Sequence, residues 1–161
     1  MPGNDKRIHG DMSKPVDPKA FERYARIGVL ITRIYTEAMD ALDRELTPFD
    51  ISAAQYVVVS LIARGVAESA AQVCKELSYN PGAMTRMLDR LEQKDLVRRV
   101  RLPGDRRTVK LELTAHAREI YPAMYACSAA ILERLYGRFS IEELEQFGGF
   151  LAKTLGGEAA K

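Results

Sequence analysis

The sequence predicts a mainly helical protein with one small β-hairpin, of the α+β class, on three observations. Apolar residues recur every three to four positions over most of the chain. Three Ser-x-x-Gln/Glu boxes punctuate it, and after Asp95 the apolar period falls to two. A period near 3.6 aligns side chains on one face of a helix, and a period of two does so on a strand.

The 161 residues suffice for one ordinary domain, or for one small domain plus helices that need a partner. With 47% hydrophobic and 29% charged residues, the chain has the balance of a globular protein with a real core. A net charge of +2 names no partner, but the charge is unevenly spread: from Asn80 to Lys110, nine Lys or Arg stand against four Asp or Glu. The apolar runs fall short of the ~18 to 20 residues that span a bilayer, and the first residues lack the apolar core of a signal peptide. A cytoplasmic protein with no membrane partner is expected. Cys74, Cys127, His9 and His116 are too few and too scattered for a zinc site or a disulfide framework, so neither metal nor cofactor is expected. Residues 1–16 mix Gly, Pro and charges of both signs and read as a disordered tail, with 17–161 as a single domain.

Asp17-Pro18 supplies an N-cap followed by proline at the first helical position, where its missing N–H costs nothing. The next breaker is Thr47-Pro48, so this helix reaches about Leu46 and extends ~43 Å at 1.5 Å per residue. Along it Phe21, Tyr24, Gly28, Ile31, Tyr35, Ala38 and Leu42 alternate steps of three and four. Such a seam suits helices that pack nearly parallel, either in the core of a monomer or across a dimer interface.

Ser52-x-x-Gln55 opens the next helix with a capping box, and the box recurs at Ser69-x-x-Gln72 and Ser140-x-x-Glu143. After Ser69, residues Ala70, Val73, Cys74 and Leu77 form the buried stripe of a short helix ending near Ser78. Asn80-Pro81 repeats the cap-plus-proline start. Met84, Met87, Leu88 and Leu91 then form one face of a helix whose other face carries Gly82, Thr85, Arg86, Asp89 and Arg90. Beyond Asp95, Val100 and Leu102 alternate with Arg99 and Arg101, and Val109, Leu111 and Leu113 alternate with Thr108, Lys110 and Glu112. Between these strands Pro103-Gly104-Asp105 makes the turn, and the alternating Val and Leu are expected to hold both strands against the domain. Thr114 caps a long helix to about Tyr136, kinked or broken at Pro122, and Ser140 opens a last helix to about Leu155.

Short helix, tight turn, polar-faced helix and basic hairpin, in that order, make a winged helix-turn-helix. A DNA major groove admits one α-helix, whose exposed face reads base edges while neighbouring loops hold phosphates. Arg86 and Arg90 lie one turn apart on that face. Arginine can bridge guanine O6 and N7 or grip a phosphate, and Thr85 can donate to a phosphate or pack on a thymine methyl. Asn80 opens this helix, and Gly82 and Ala83 are small enough to let its N-terminus approach DNA. The backbone N–H groups near Gly82 would favour a phosphate.

The stretches "ISAAQYVVV", "NPGAMTRMLDRLEQKDLV" and "PGDRRTVKLELT" resemble, in order, successive motifs of the multiple-antibiotic-resistance regulator (MarR) family. The resemblance runs from about Ile51 to Thr114, and the flanking helices agree in length and place with that family's dimerisation helices. Two positions depart from the pattern: Asp95 stands where the family usually has glycine, and Ala117 replaces a frequent glycine after the Leu-Thr pair. Asp tolerates a left-handed backbone better than most residues, so the turn at Asp95 should survive.

The resemblance implies a winged helix-turn-helix lobe over 51–113 with N- and C-terminal dimerisation helices over 17–46 and 114–161. It implies a homodimer on a pseudopalindromic DNA operator, with half-sites ~10 bp apart centre to centre. Such regulators typically repress, and many release DNA when a small phenolic or aromatic acid binds. Carried over by position, Thr85, Arg86 and Arg90 fall on the reading face and Arg107 on the wing arginine. Arg106 is a second candidate for phosphate or minor groove, Asp105 shapes the wing loop, and Arg98, Arg99 and Arg101 supply flanking field or contacts. Tyr35, Tyr56, His116 and Tyr121 lie on helices that border the family's ligand pocket, and each also fits a core or rim position. Two other readings share the fold: a redox sensor using Cys74, which a buried stripe would leave inert, and a winged helix that binds protein as an adaptor. No phosphate loop, metal motif or nucleophile elbow suggests an enzyme or a catalytic residue.

Overall fold

Each helix begins where a side chain can accept the backbone donors that a first turn leaves unpaired. The computed structural model describes residues 17–102 and 105–156, the side chains of 102 and 105–108 excepted. Among them run α1 (Pro18–Leu46), a 3-10 turn (Thr47–Phe49), α2 (Ala53–Ala63), α3 (Ala70–Leu77), α4 (Pro81–Gln93), β1 (Val97–Leu102), β2 (Asp105–Leu113), α5 (Ala115–Tyr136) and α6 (Ile141–Thr154). The expected tail over 1–16 and the Pro103-Gly104 turn lie outside the described residues.

Asp17 Oδ1 accepts the Lys19 N–H at 3.1 Å, and Asn80 Oδ1 accepts those of Gly82 and Ala83 at 2.9 and 3.2 Å. Reciprocal capping boxes form at Ser52 with Gln55 and at Ser140 with Glu143. At Ser69 the box is shifted by one residue: Ser69 Oγ accepts from Gln72 N, but Gln72 Oε1 accepts the N–H of Glu68 at 2.7 Å. Thr114 Oγ1 accepts the Ala117 N–H at 3.0 Å and donates to the Asp95 carbonyl, which ties the start of α5 to the turn after α4. That turn holds Asp95 at φ 52°, the left-handed conformation expected there from the sequence.

The described residues fall into two units. One, residues 37–131, contains α2 to β2 with the adjoining ends of α1 and α5. Its core holds Val58 and Val59 of α2, Val73 of α3, Met84, Leu88 and Leu91 of α4, Leu96 and Val97, Leu111 and Leu113 of β2, and Met124 of α5. Cys74 is half-buried rather than buried, because in the eight-residue α3 only Val73 is fully covered.

The hairpin register corrects one expectation. Val97 pairs with Leu113, Arg99 with Leu111, Val100 with Lys110 and Arg101 with Val109. Paired residues share a face, so β1 turns Val97 and Arg99 to the side of Leu111 and Leu113, while the half-buried Val100 sits with Lys110 on the other. The wing is therefore held to the core by Val97, Leu111 and Leu113, and not by Val100. Leu111 also donates its N–H to the Glu68 carbonyl at 2.8 Å, so the segment before α3 lines the far edge of β2.

The second unit comprises residues 17–36 and 132–156 of the described chain. Phe147 of α6 stacks on Phe139, with ring centroids 6.3 Å apart, and lies 6.4 Å from Tyr136. On α1 the seam is open in the single chain, with Phe21 61%, Tyr24 64% and Tyr35 63% exposed. A helix in a monomer's core would not leave those rings in water. α5 runs unbroken through Pro122, since proline removes one backbone bond and the rest of the ladder persists.

Leu88 is 1% exposed, so Leu88→Ala should destabilise the protein by about 2 to 5 kcal/mol, read as a lower denaturation midpoint with helix content retained below it.

Candidate nucleic-acid interface

The burial of one face of α4 decides what its other face offers. With Met84, Leu88 and Leu91 in the core, Thr85, Arg86, Asp89 and Arg90 are exposed together. Neither Arg86 nor Arg90 has an ion-pair partner among the described residues, so two guanidinium groups one turn apart are open to a ligand.

Two sequence expectations for this helix change. The Gly82 and Ala83 N–H groups already donate to Asn80, so they are not open for a phosphate, and Asn80 Oδ1 is engaged as the cap. A methyl at Gly82 would stand 3.3 Å from that oxygen, so glycine serves the cap as much as any approach by DNA. Thr85 Oγ1 donates to the Pro81 carbonyl at 3.0 Å, which leaves its methyl and acceptor lone pairs, and not its proton, for a partner.

The basic hairpin is less open than its composition suggests. Arg98 pairs with Glu112 at 2.8 Å, and this guanidinium holds the Glu112 carboxyl below the usual carboxylate range. Arg99 pairs with Asp89 at 2.8 Å and with Glu92, both on α4. Lys110 lies 3.4 Å from Glu68, and Lys94 lies 3.1 Å from Asp50. Of the arginines on β1, Arg101 is exposed without an ion pair among the described residues. The side chains of Asp105, Arg106 and Arg107 lie outside the described residues.

Of the four candidates for a ligand pocket, the structure brings two together. Tyr56 of α2 and Tyr121 of α5 stack with centroids 6.4 Å apart, and Tyr121 Oη lies 3.2 Å from Ser60 Oγ. Burial pushes the Tyr56 hydroxyl above the ordinary tyrosine value, partly offset by its hydrogen bond to Ser128. Tyr125, one turn beyond Tyr121, completes the cluster at 6.2 Å. The sequence reading missed Tyr125, Ser60 and Ser128, although the Tyr121/Tyr125 spacing signals one helix face. Tyr35 belongs to the other unit, and His116 is exposed in the first turn of α5. A cleft of about 420 Å³ opens beside Tyr121 at the root of the wing, floored by Ile62, Leu111 and Leu113 and rimmed by Glu68, Lys110, Glu112 and Arg118.

Comparison with known proteins agrees with this geometry. The MarR family profile matches residues 51–109. The multiple antibiotic resistance protein MarR of Escherichia coli is 37% identical over 94 residues, 58% of this chain and 65% of that one. The HTH-type transcriptional repressor MdtR of Bacillus subtilis is 27% identical over 124 residues, 77% of each chain. Among solved structures, a cysteine-to-serine mutant of E. coli MarR complexed with operator DNA superposes with a TM-score of 0.71 at 30% identity, covering 87% of this chain and 99% of that one. Apo wild-type E. coli MarR superposes at 0.63 and 31% identity over 80% and 96%. The chain belongs to the MarR family, and is a DNA-binding transcriptional regulator and not an enzyme.

Proposed function

We propose that the chain acts in the cytoplasm as a homodimeric repressor that binds a pseudopalindromic duplex and is released from it by a small phenolic or aromatic acid. The observation that carries the DNA-reading part is the exposed face of α4, where Arg86 and Arg90 stand unpaired among the described residues beside a basic hairpin. In this reading residues 51–113 are the DNA-binding lobe, and 17–46 with 114–161 are the dimerisation helices. α4 enters the major groove with Thr85, Arg86 and Arg90 towards base edges and phosphates, and half-sites lie ~10 bp apart. Arg107, with Arg106, reaches a minor groove or phosphate, and Asp105 shapes the loop.

The exposed Phe21, Tyr24 and Tyr35 support dimerisation, because rings at these exposures need a partner to leave water. Operator DNA in the complex of the E. coli relative supports the DNA partner. Tyr121, which lines the cleft and is backed by the buried Tyr56, offers a ring and a phenol hydroxyl to an aromatic effector. Release requires that the effector bind the DNA-incompatible dimer more tightly than the compatible one.

Duplexes selected from random-sequence DNA by the full-length chain, followed by fluorescence anisotropy over a salt series, test these roles. Arg86→Ala should weaken the selected site by ~1 to 3 kcal/mol and relax preference at its own base pair. Arg107→Ala should weaken all duplexes about equally and reduce the slope of log K against log salt by ~1. Variants that bind like the parent would refute this assignment. Titrating salicylate into the complex should lower the affinity of the parent, and Tyr121→Ala should blunt that response. An unchanged affinity across phenolic and aromatic acids would remove the effector from the reading.

A further inference from the structure

We propose that Arg99 is a positioning residue for DNA binding: without touching DNA, it fixes the direction of the wing relative to α4 by holding Glu92 and Asp89. This rests on the DNA-binding reading above. Arg99 faces Leu111 across the hairpin, and the Leu111 N–H points away from β1 to the Glu68 carbonyl. The Arg99–Leu111 pair is therefore of the kind that exchanges no hydrogen bonds, and the Arg99 N–H points to the free edge of β1. Glu92 Oε1 accepts that N–H at 3.0 Å, while Glu92 Oε2 accepts from Arg99 Nη1. The same Nη1 reaches Asp89 Oδ1 at 2.8 Å. A backbone donor, a guanidinium and two carboxylates three residues apart on α4 form one closed network.

A single ion pair between two long side chains fixes a distance loosely. Here one strand residue is held at its backbone and at its tip, so the rotation of β1 about its own axis is restrained as well. The side chains of Arg99, Glu92 and Asp89 are 32%, 33% and 49% exposed, and pairs of that exposure add little to folding stability. Their contribution lies in preorganisation. Arg86 and Arg90 on α4 and the hairpin tip must meet the duplex together, and any slack between helix and hairpin has to be removed on binding.

Charge alone makes the opposite forecast. Deleting a carboxylate beside a DNA-binding face reduces repulsion of phosphates and should tighten the complex. Glu92→Ala, Arg99→Gln and the double variant of the full-length chain separate the two accounts. Without DNA, amide exchange at Arg99 should quicken in Glu92→Ala while the thermal midpoint stays close to that of the parent. On a duplex selected by the parent, each single variant should lose affinity by about tenfold, and the double variant no more than either single one, because both remove the same network.

Glu92→Ala binding as tightly as the parent, or more tightly, overturns the proposal. So does an Arg99→Gln loss of equal size in the parent and Glu92→Ala backgrounds, which would make Arg99 a DNA contact. If Arg99→Gln does not fold, Glu92→Ala alone decides. A parent that selects no duplex fails the DNA-binding reading and takes this inference with it, whereas a parent that binds while every variant binds equally overturns the inference alone.

Discussion

The fold turns on the burial of Met84, Leu88 and Leu91 along one side of α4. Removing those side chains from water contributes ~1.5 to 3 kcal/mol each, which is more than any surface ion pair in the chain can offer. A helix with one face so committed cannot rotate about its axis. Thr85, Arg86 and Arg90 are therefore presented outward in a set direction. The ends of α4 have partners of their own. Asn80 caps its start, and at its end Lys94 meets Asp50 while Thr114 holds the Asp95 carbonyl.

Electrostatics then divides the basic residues into two groups. Lys94, Arg98, Arg99 and Lys110 have carboxylate partners within the unit, so their charge is locally balanced and their heads are held in place. Arg86, Arg90 and Arg101 have none among the described residues and keep an open field. In the proposed function, a ligand carrying many regularly spaced negative charges would be drawn to these open cations.

Much of the fold was legible because caps are local chemistry. Asp17-Pro18, Ser52, Ser69, Asn80-Pro81, Thr114 and Ser140 each precede a helix at the position read from the sequence, and the hairpin falls where the apolar period changes. The left-handed turn at Asp95 was legible through the family resemblance, whereas the left-handed residues Asp50 and Ser78 carried no such signal. The strand face was not legible. Val97 and Val100 lie three residues apart and so on opposite faces of β1, and alternation alone cannot say which face meets the core. The register puts the exposed Arg99 on the same side of the hairpin as Val97 and Leu111, where Glu92 and Asp89 of α4 pair with it.

The pocket candidates show the same boundary. Tyr35, Tyr56, His116 and Tyr121 were chosen for the helices that carry them, yet only Tyr56 and Tyr121 stack, with Tyr125, Ser60 and Ser128 beside them. What the sequence by itself determined is the order and extent of the helices, the hairpin, and the polar face of α4, because caps and periodicity act over a few residues. Tertiary structure alone decided which cations remain open and which tyrosines meet. Those outcomes depend on partners distant in the chain, such as Glu92 with Arg99 or Ser60 with Tyr121, and only the packing of α2, α4, the hairpin and α5 sets the distances between them.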